Sequence, residues 1–105
     1  MTRAFLAATC VALLLPMTAT VAAAAGPIEK ACMNSDRRGA NRAMCSCIQD
    51  AADMTLRGAD QRRAAKFFSD PDEAQQVRMS DRDSDNAFWD RYEAFGDSAR
   101  ALCAG

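Results

Sequence analysis

The stretch RGANRAMCSCIQDAADMTL, residues 38–56, decides how this chain folds. At 100° per residue its apolar side chains gather into one stripe, as in a helix that packs one face against a core. The stripe comprises Met44, Ile48, Ala51, Ala52 and Thr55, and Ser46, Gln49, Asp50 and Asp53 fall opposite it. We therefore expect a central helix over residues 38–56.

Two cysteines, Cys45 and Cys47, lie at the two edges of this stripe. Residues two apart on a helix point about 200° away from each other, so a bond between these two sulfurs is unfavourable. Their partners are then Cys32 and Cys103. Two pairings remain open, Cys32 to Cys45 with Cys47 to Cys103, or Cys32 to Cys47 with Cys45 to Cys103. Either pairing ties both ends of the domain to the central helix.

The first 25 residues are typical of a cleaved secretory signal peptide. They hold basic Arg3, an apolar run from Ala4 to Leu15, and a small-residue stretch over Val21–Ala25. The apolar run is too short to span a bilayer. Cleavage after residue 25 removes Cys10 and leaves an even set of four cysteines, which in an oxidising compartment indicates two disulfides. We therefore predict a periplasmic or secreted protein that is soluble after cleavage.

Residues 26–105 form a single small domain in this interpretation. Because so short a chain buries a limited core, covalent links are expected, each contributing about 2–4 kcal/mol. No stretch of the domain alternates apolar and polar residues as a half-buried strand does. The sequence predicts an all-α fold, a disulfide-stapled bundle of about four to five short helices.

Turn and capping signals divide this domain into its helices. Pro27 opens the first, Gly58 ends the central one, Asp60 caps the third, and Asp70 with Pro71 starts the fourth. The predicted ranges are 28–33, 38–56, 61–68, 71–79 and 86–102. The last helix carries the main apolar face, formed by Phe88, Tyr92, Phe95, Ala99 and Leu102.

Composition argues against several classes of function. The domain carries 12 basic and 14 acidic residues, a formal charge of −2, so bulk binding of nucleic acid is not favoured. The charge is uneven, with +3 over residues 26–68 and −5 over residues 69–105, so the two halves can attract each other. The sequence contains no histidine and no nucleophile or phosphate-loop motif. We expect no catalytic activity, no cofactor and no membrane span in the mature chain.

Two weak metal patterns are present. Asp81, Asp83 and Asp85 match the opening of a calcium loop, but the match decays because a tyrosine stands at the twelfth position. A solvated turn that leads into the last helix is the favoured interpretation of this run. A soft-metal site built from Cys45 and Cys47 is the other pattern, with Met33 and Met44 as further ligands, and structural disulfides are favoured over it.

A basic set near the third helix is interpreted as a solvated face: Arg57, Arg62, Arg63 and Lys66.

Six blocks of sequence occur together along the domain: residues 27–32, 44–48, 61–68, 70–71, 88–89 and the terminal Cys103. In these blocks the chain resembles a family of short exported proteins of Gram-negative bacteria, often labelled arginine transporters. The resemblance implies a soluble accessory or binding component associated with arginine transport, because the mature chain has no span with which to cross a membrane.

The sequence thus supports two hypotheses of function. Export, disulfides and missing catalytic motifs favour a non-enzymatic interaction or scaffold module that binds an unknown protein partner. The resemblance implies instead that the acidic half holds a small cationic ligand such as arginine. Carboxylates that could pair with a guanidinium there are Asp81, Asp83, Asp85 and Asp90.

Overall fold

In the computed structural model the described residues are Leu14, 25–36 and 38–104, and they form five helices and no strand. The helices are α1 (Pro27–Met33), α2 (Arg42–Thr55), α3 (Gly58–Ser69), α4 (Pro71–Arg78) and α5 (Asp83–Cys103). The all-α prediction is confirmed. The predicted signal peptide lies outside the described residues except at Leu14 and Ala25, and so does Cys10. Within the described ranges no helix is long and apolar enough to cross a bilayer.

Two helices begin on side-chain caps. The Asn41 carboxamide oxygen accepts a hydrogen bond from the backbone N–H of Met44 at 2.8 Å and so caps α2. The Asp70 carboxylate accepts one from the backbone N–H of Glu73 at 3.3 Å, and Pro71 occupies the first position of α4, where its missing N–H costs nothing. The predicted Asp-Pro start of this helix is confirmed.

The predicted start of α2 is wrong by four residues, whereas its predicted end differs by one. Gly39 adopts φ of 81°, which a right-handed helix does not allow, so α2 begins at Arg42 instead of residue 38. At the other end Leu56 is extended (φ −122°, ψ 134°) and ends the helix. Gly58 does not stop α2, because it is already the first residue of α3.

The last helix is longer than predicted, since it begins at Asp83 rather than at residue 86. The preceding connector is stabilised locally. The Ser80 hydroxyl donates to the Asp85 carboxylate at 2.6 Å and accepts a hydrogen bond from the backbone N–H of Arg82 at 3.2 Å. These hydrogen bonds hold the polar segment that the sequence analysis interprets as a solvated turn, and this segment continues directly into α5.

The hydrophobic core lies where α5, α2, α1 and α3 meet. Phe88 and Phe95 of α5 are 1% and 5% exposed, and the Phe67 ring stands edge-on to Phe88 and to Tyr92. The predicted aromatic face is therefore the centre of the core, except that Leu102 is 54% exposed. The buried members of the core are Ile28, Ala51, Ala52, Leu56, Ala64, Phe67, Val77, Phe88 and Phe95.

A buried polar cluster joins three helices. Gln49, which the helical wheel places on the solvent side, is 7% exposed and donates to Gln61 Oε1 and Asp53 Oδ1, both at 2.8 Å. Gln61 in turn donates to Asp53 Oδ1 and to the Leu56 carbonyl oxygen at the end of α2. Gln49 also accepts a hydrogen bond from the backbone N–H of Glu29 in α1. The prediction of a solvent-facing Gln49 is wrong because α1 and α3 cover this side of α2.

Two ion pairs connect the oppositely charged halves of the domain. Arg63 of α3 pairs with Asp85 and lies over the Phe88 ring, with its guanidinium carbon 4.5 Å from the ring centroid. Arg91 of α5 makes a bidentate pair with Asp60 of α3, at 2.7 and 3.1 Å. Asp60 is thus not the cap of α3, since it lies in the first turn of that helix and is held by a residue of α5.

Candidate functional site

Two disulfides link α2 to the ends of the domain. Cys45 bonds Cys32 in α1 and Cys47 bonds Cys103 at the end of α5, with Cα–Cα distances of 5.6 and 5.8 Å. This is the first of the two pairings that the sequence leaves open. The divergence of the two cysteines on α2 is thus the reason why each fastens a different end of the chain. All four sulfurs are used, so none is available as the thiolate ligand of a soft metal.

An apolar depression lies between α2, α5 and the segment that joins α1 to α2. It has a volume of about 380 Å³. A second depression of about 230 Å³ continues it toward the C-terminus and shares four of its wall residues: Met44, Ile48, Ala99 and Arg100. We call the two together the α2–α5 groove.

Apolar side chains form most of this surface. Phe95 is buried at its base, and Met44, Ile48, Tyr92 and Ala99 are half-buried along its walls. Sites that bind small molecules or protein segments are commonly concave, apolar and supplied with a few polar groups. The charged groups here are two arginines, Arg38 before α2 and Arg100 on α5. The described residues that line the groove include no aspartate or glutamate.

The two arginines are held differently. Arg100 pairs with Asp97 one turn away, and both side chains are about three-quarters exposed. Arg38 is exposed, and within the described ranges no carboxylate pairs with it. Gly96 lies beside Arg100, because a Cβ built at residue 96 would be 3.5 Å from Arg100 Nη1. The absence of a side chain at Gly96 thus leaves the groove open next to this guanidinium.

The disulfides also contribute to the groove. Cys32 lines its larger part and Cys103 lines its continuation, so each bond has one cysteine in the wall. Cys32–Cys45 connects the α1 side to α2, and Cys47–Cys103 connects α2 to α5. Since the two helices that form the groove are covalently joined, we expect its shape to be preserved when it is empty.

The predicted calcium residues do not come together as a loop. Asp83 and Asp85 belong to α5, and Asp81 lies just ahead of it, so the three follow a helical start and not the curved loop of a calcium site. The Asp85 carboxylate accepts hydrogen bonds from Ser80 and Arg63, and these lower the pKa of Asp85 below its ordinary value. In the part of the chain that the structure describes, no group of three or more potential ligands is placed to hold a metal ion.

The basic set around α3 separates into two kinds of residue. Arg57, Arg62 and Lys66 are exposed, as a solvated face requires. Arg63 is half-buried, pairs with Asp85 and contacts the Phe88 ring, so its role is structural. The acidic half likewise uses Asp85 for a structural pair, while Asp81, Asp83 and Asp90 are exposed.

Sequence reasoning missed the groove. The helical wheel places Met44 and Ile48 on the core face of α2, and in the structure both are half-buried and line the groove. One signal was available: Gly96 interrupts an otherwise good helix former, which suggests a close approach or an opening at that point.

Comparison with protein-family models, with curated proteins and with solved structures finds no match to this chain.

Proposed function

We propose that this chain is a non-enzymatic binding module that works outside the cytoplasm and engages a protein partner through the α2–α5 groove. The observation that carries the proposal is the pairing of an open apolar groove with disulfides at its walls. A groove held in shape before binding loses little conformational entropy when a partner docks.

The location follows from the cysteines and from the predicted signal peptide. Disulfides persist in oxidising compartments such as the periplasm and are rare in the cytosol. Two of them in so short a domain support export, and the N-terminal pattern supports cleavage before Gly26. N-terminal sequencing of the protein recovered from the periplasm tests this part: a first residue other than Gly26 would contradict the predicted cleavage site.

The resemblance to proteins labelled arginine transporters suggests a small cationic ligand, but the groove favours the opposite charge. Arg38 and Arg100 would repel a guanidinium, and the lining described above offers no carboxylate with which to bind one. The exposed acids near the start of α5, among them Asp81 and Asp83, are the remaining place for such a ligand.

Site-specific photocrosslinking tests the proposal. A photoreactive amino acid replaces Met44 in the groove wall, and in a matched control it replaces Met54, which lies on the same helix and is 64% exposed away from the groove. We expect the protein secreted in living cells to form a discrete protein adduct from position 44 and not from position 54. The same adduct from both positions, or none from position 44, would contradict the proposal.

Thermal unfolding separates the two functions. Arginine at about 100 times its dissociation constant would stabilise a specific binder by about 2.7 kcal/mol, a shift of several degrees in Tm. We expect no such shift for the oxidised protein. A shift of that size, specific to arginine among the amino acids, would favour the small-ligand function.

A further inference from the structure

The charges of the α2–α5 groove restrict what can occupy it. Ile48 and Phe95 provide an apolar surface, and Arg38 and Arg100 place two guanidinium groups at the same groove. Guanidinium groups bind carboxylates through paired, charge-assisted hydrogen bonds. The complementary occupant therefore combines apolar side chains with carboxylates.

The dimensions of the groove favour a protein segment over a free acyl chain. Along α5 it extends from Tyr92 to Cys103, which is about 16 Å at 1.5 Å per residue. About three turns of a docked helix or five residues of extended chain fit this length. Because one side of the groove is open to solvent, an acyl chain would keep much of its apolar surface in water. An amphipathic segment turns its polar side outward instead.

Resting on the proposed function, we infer that the groove binds an acidic amphipathic segment of a partner protein. Aliphatic or aromatic side chains of that segment pack on Ile48 and Phe95, and its carboxylates pair with Arg38 and Arg100. The Asp97 carboxylate, which now accepts from Arg100, is exposed and can yield to a carboxylate of the partner.

One substitution closes the groove without disturbing the core. In Gly96→Leu the new Cβ meets only the flexible, exposed end of Arg100, at 3.5 Å. Because Gly96 lines the groove, we expect the rest of the side chain to fill it. Leucine is also a better helix former than glycine, so the variant should fold. Gly58→Leu is the matched control, since its Cβ likewise meets only an arginine, Arg62 Nη1 at 3.5 Å, at the start of α3 and away from the groove.

The test is selection of random 12-residue peptides displayed on phage against the oxidised, secreted protein. We expect enriched peptides to carry apolar residues at helical or alternate spacing together with two or more aspartates or glutamates. Their binding should be lost in Gly96→Leu and kept in Gly58→Leu. Arg38→Gln and Arg100→Gln should each weaken binding about tenfold, whereas the control Arg78→Gln, an exposed residue outside the groove, should leave it unchanged.

The alternative outcomes are distinguishable. Peptides that need an open Gly96 but carry no acids would overturn the inference and leave the proposed function standing. If the selected peptides bind Gly96→Leu as well as wild type, or if no peptide is enriched, both the inference and the proposed function are overturned. A dimer in sedimentation that dissociates in Gly96→Leu would overturn the inference by making a second copy the occupant. If dodecanoate displaces the selected peptides, and if its binding requires Arg38 and Arg100, the inference is overturned in favour of an acyl ligand.

Discussion

The side-chain oxygen of Gln49 accepts a hydrogen bond from the backbone N–H of Glu29 at 3.0 Å, which fixes the first turn of α1 to the middle of α2. This N–H is one of the donors that the start of a helix leaves without an internal partner. The same Gln49 side chain donates to Gln61 and Asp53, so one buried carboxamide links α1, α2 and α3.

We predict that Gln49→Leu lowers the free energy of unfolding by about 2–3 kcal/mol. The substitution leaves the buried Gln61 Oε1 and the part-buried Glu29 N–H without these partners. A buried loss costs about 1–3 kcal/mol, and a part-buried one costs less because water can reach the group. Urea unfolding of the oxidised protein measures the change. Gln75→Leu at an exposed position of α4 is the control and should stay within about 0.5 kcal/mol of wild type. Equal effects of the two variants would contradict a structural role for the cluster.

A second prediction concerns Gly26, which caps α1 and packs directly on Gln49. A Cβ at this position would be 2.4 Å from Gln49 Cδ, and Gln49 cannot move without breaking its hydrogen bonds. We expect Gly26→Ala to destabilise the fold by about 1–3 kcal/mol. In a Gln49→Ala background the same change should cost clearly less, because the clash is gone. Additive effects in this double-mutant cycle would assign the cost to capping rather than to the contact.

Much of the fold can be predicted from the sequence because most of the signals that determine its helices act between residues close together in the chain. The Asp70-Pro71 start, the aromatic face of α5 and the divergence of Cys45 and Cys47 depend only on helix geometry. They are predicted correctly for that reason. The start of α2 is missed because Gly39 adopts a backbone conformation that periodicity does not encode.

The candidate site is much less predictable because it is formed by residues that are far apart in the sequence. Nothing local to Met44 or Ile48 says that α5 leaves them half-buried, and nothing local to Arg38 says that it shares a groove with Arg100. Gln49 fails for the same reason, since the helical wheel takes no account of the α1 and α3 partners that cover it.

The third prediction concerns the unequal contributions of the two disulfides to stability. Cys47–Cys103 closes a loop of 56 residues in sequence separation and Cys32–Cys45 one of 13. The chain-entropy model gives about 4 kcal/mol for the first and about 3 kcal/mol for the second. Paired alanine substitutions, measured by urea unfolding, should follow this order if unfolded-state entropy dominates. The reverse order would indicate that packing around buried Cys32 and Cys45 outweighs loop length.

The order of reduction is a separate prediction for the same bonds. Cys32 and Cys45 are 4% and 0% exposed, whereas Cys47 in α2 and Cys103 at the end of α5 are half-buried. Since a thiolate must reach a sulfur to attack it, limiting dithiothreitol should open Cys47–Cys103 first. Alkylation with iodoacetamide followed by peptide mapping reads the order directly. Simultaneous loss of both bonds would instead indicate that reduction requires global unfolding.

The ion pairs between the halves predict how stability depends on pH. The Arg91 guanidinium lowers the pKa of Asp60, and the Ser80 hydroxyl together with Arg63 lowers the pKa of Asp85. Because both carboxyls have lower pKa values in the folded state, the unfolded chain binds more protons in acid. Their contribution is complete above the unfolded pKa of about 4 and is lost as the pH falls through the folded values.

The contribution of these two groups to the free energy of unfolding, measured in urea, should therefore stay constant from pH 7 to about pH 5 and decrease below about pH 4. Asp60→Asn removes one of the two titrating groups, so this variant should be less stable than wild type at pH 7 and should lose less stability on acidification. Asp50→Asn, an exposed acid on α2, is the matched control and should run parallel to wild type. An Asp60→Asn curve parallel to wild type throughout would mean that the Arg91 pair adds nothing to the fold in solution, as is common for exposed ion pairs.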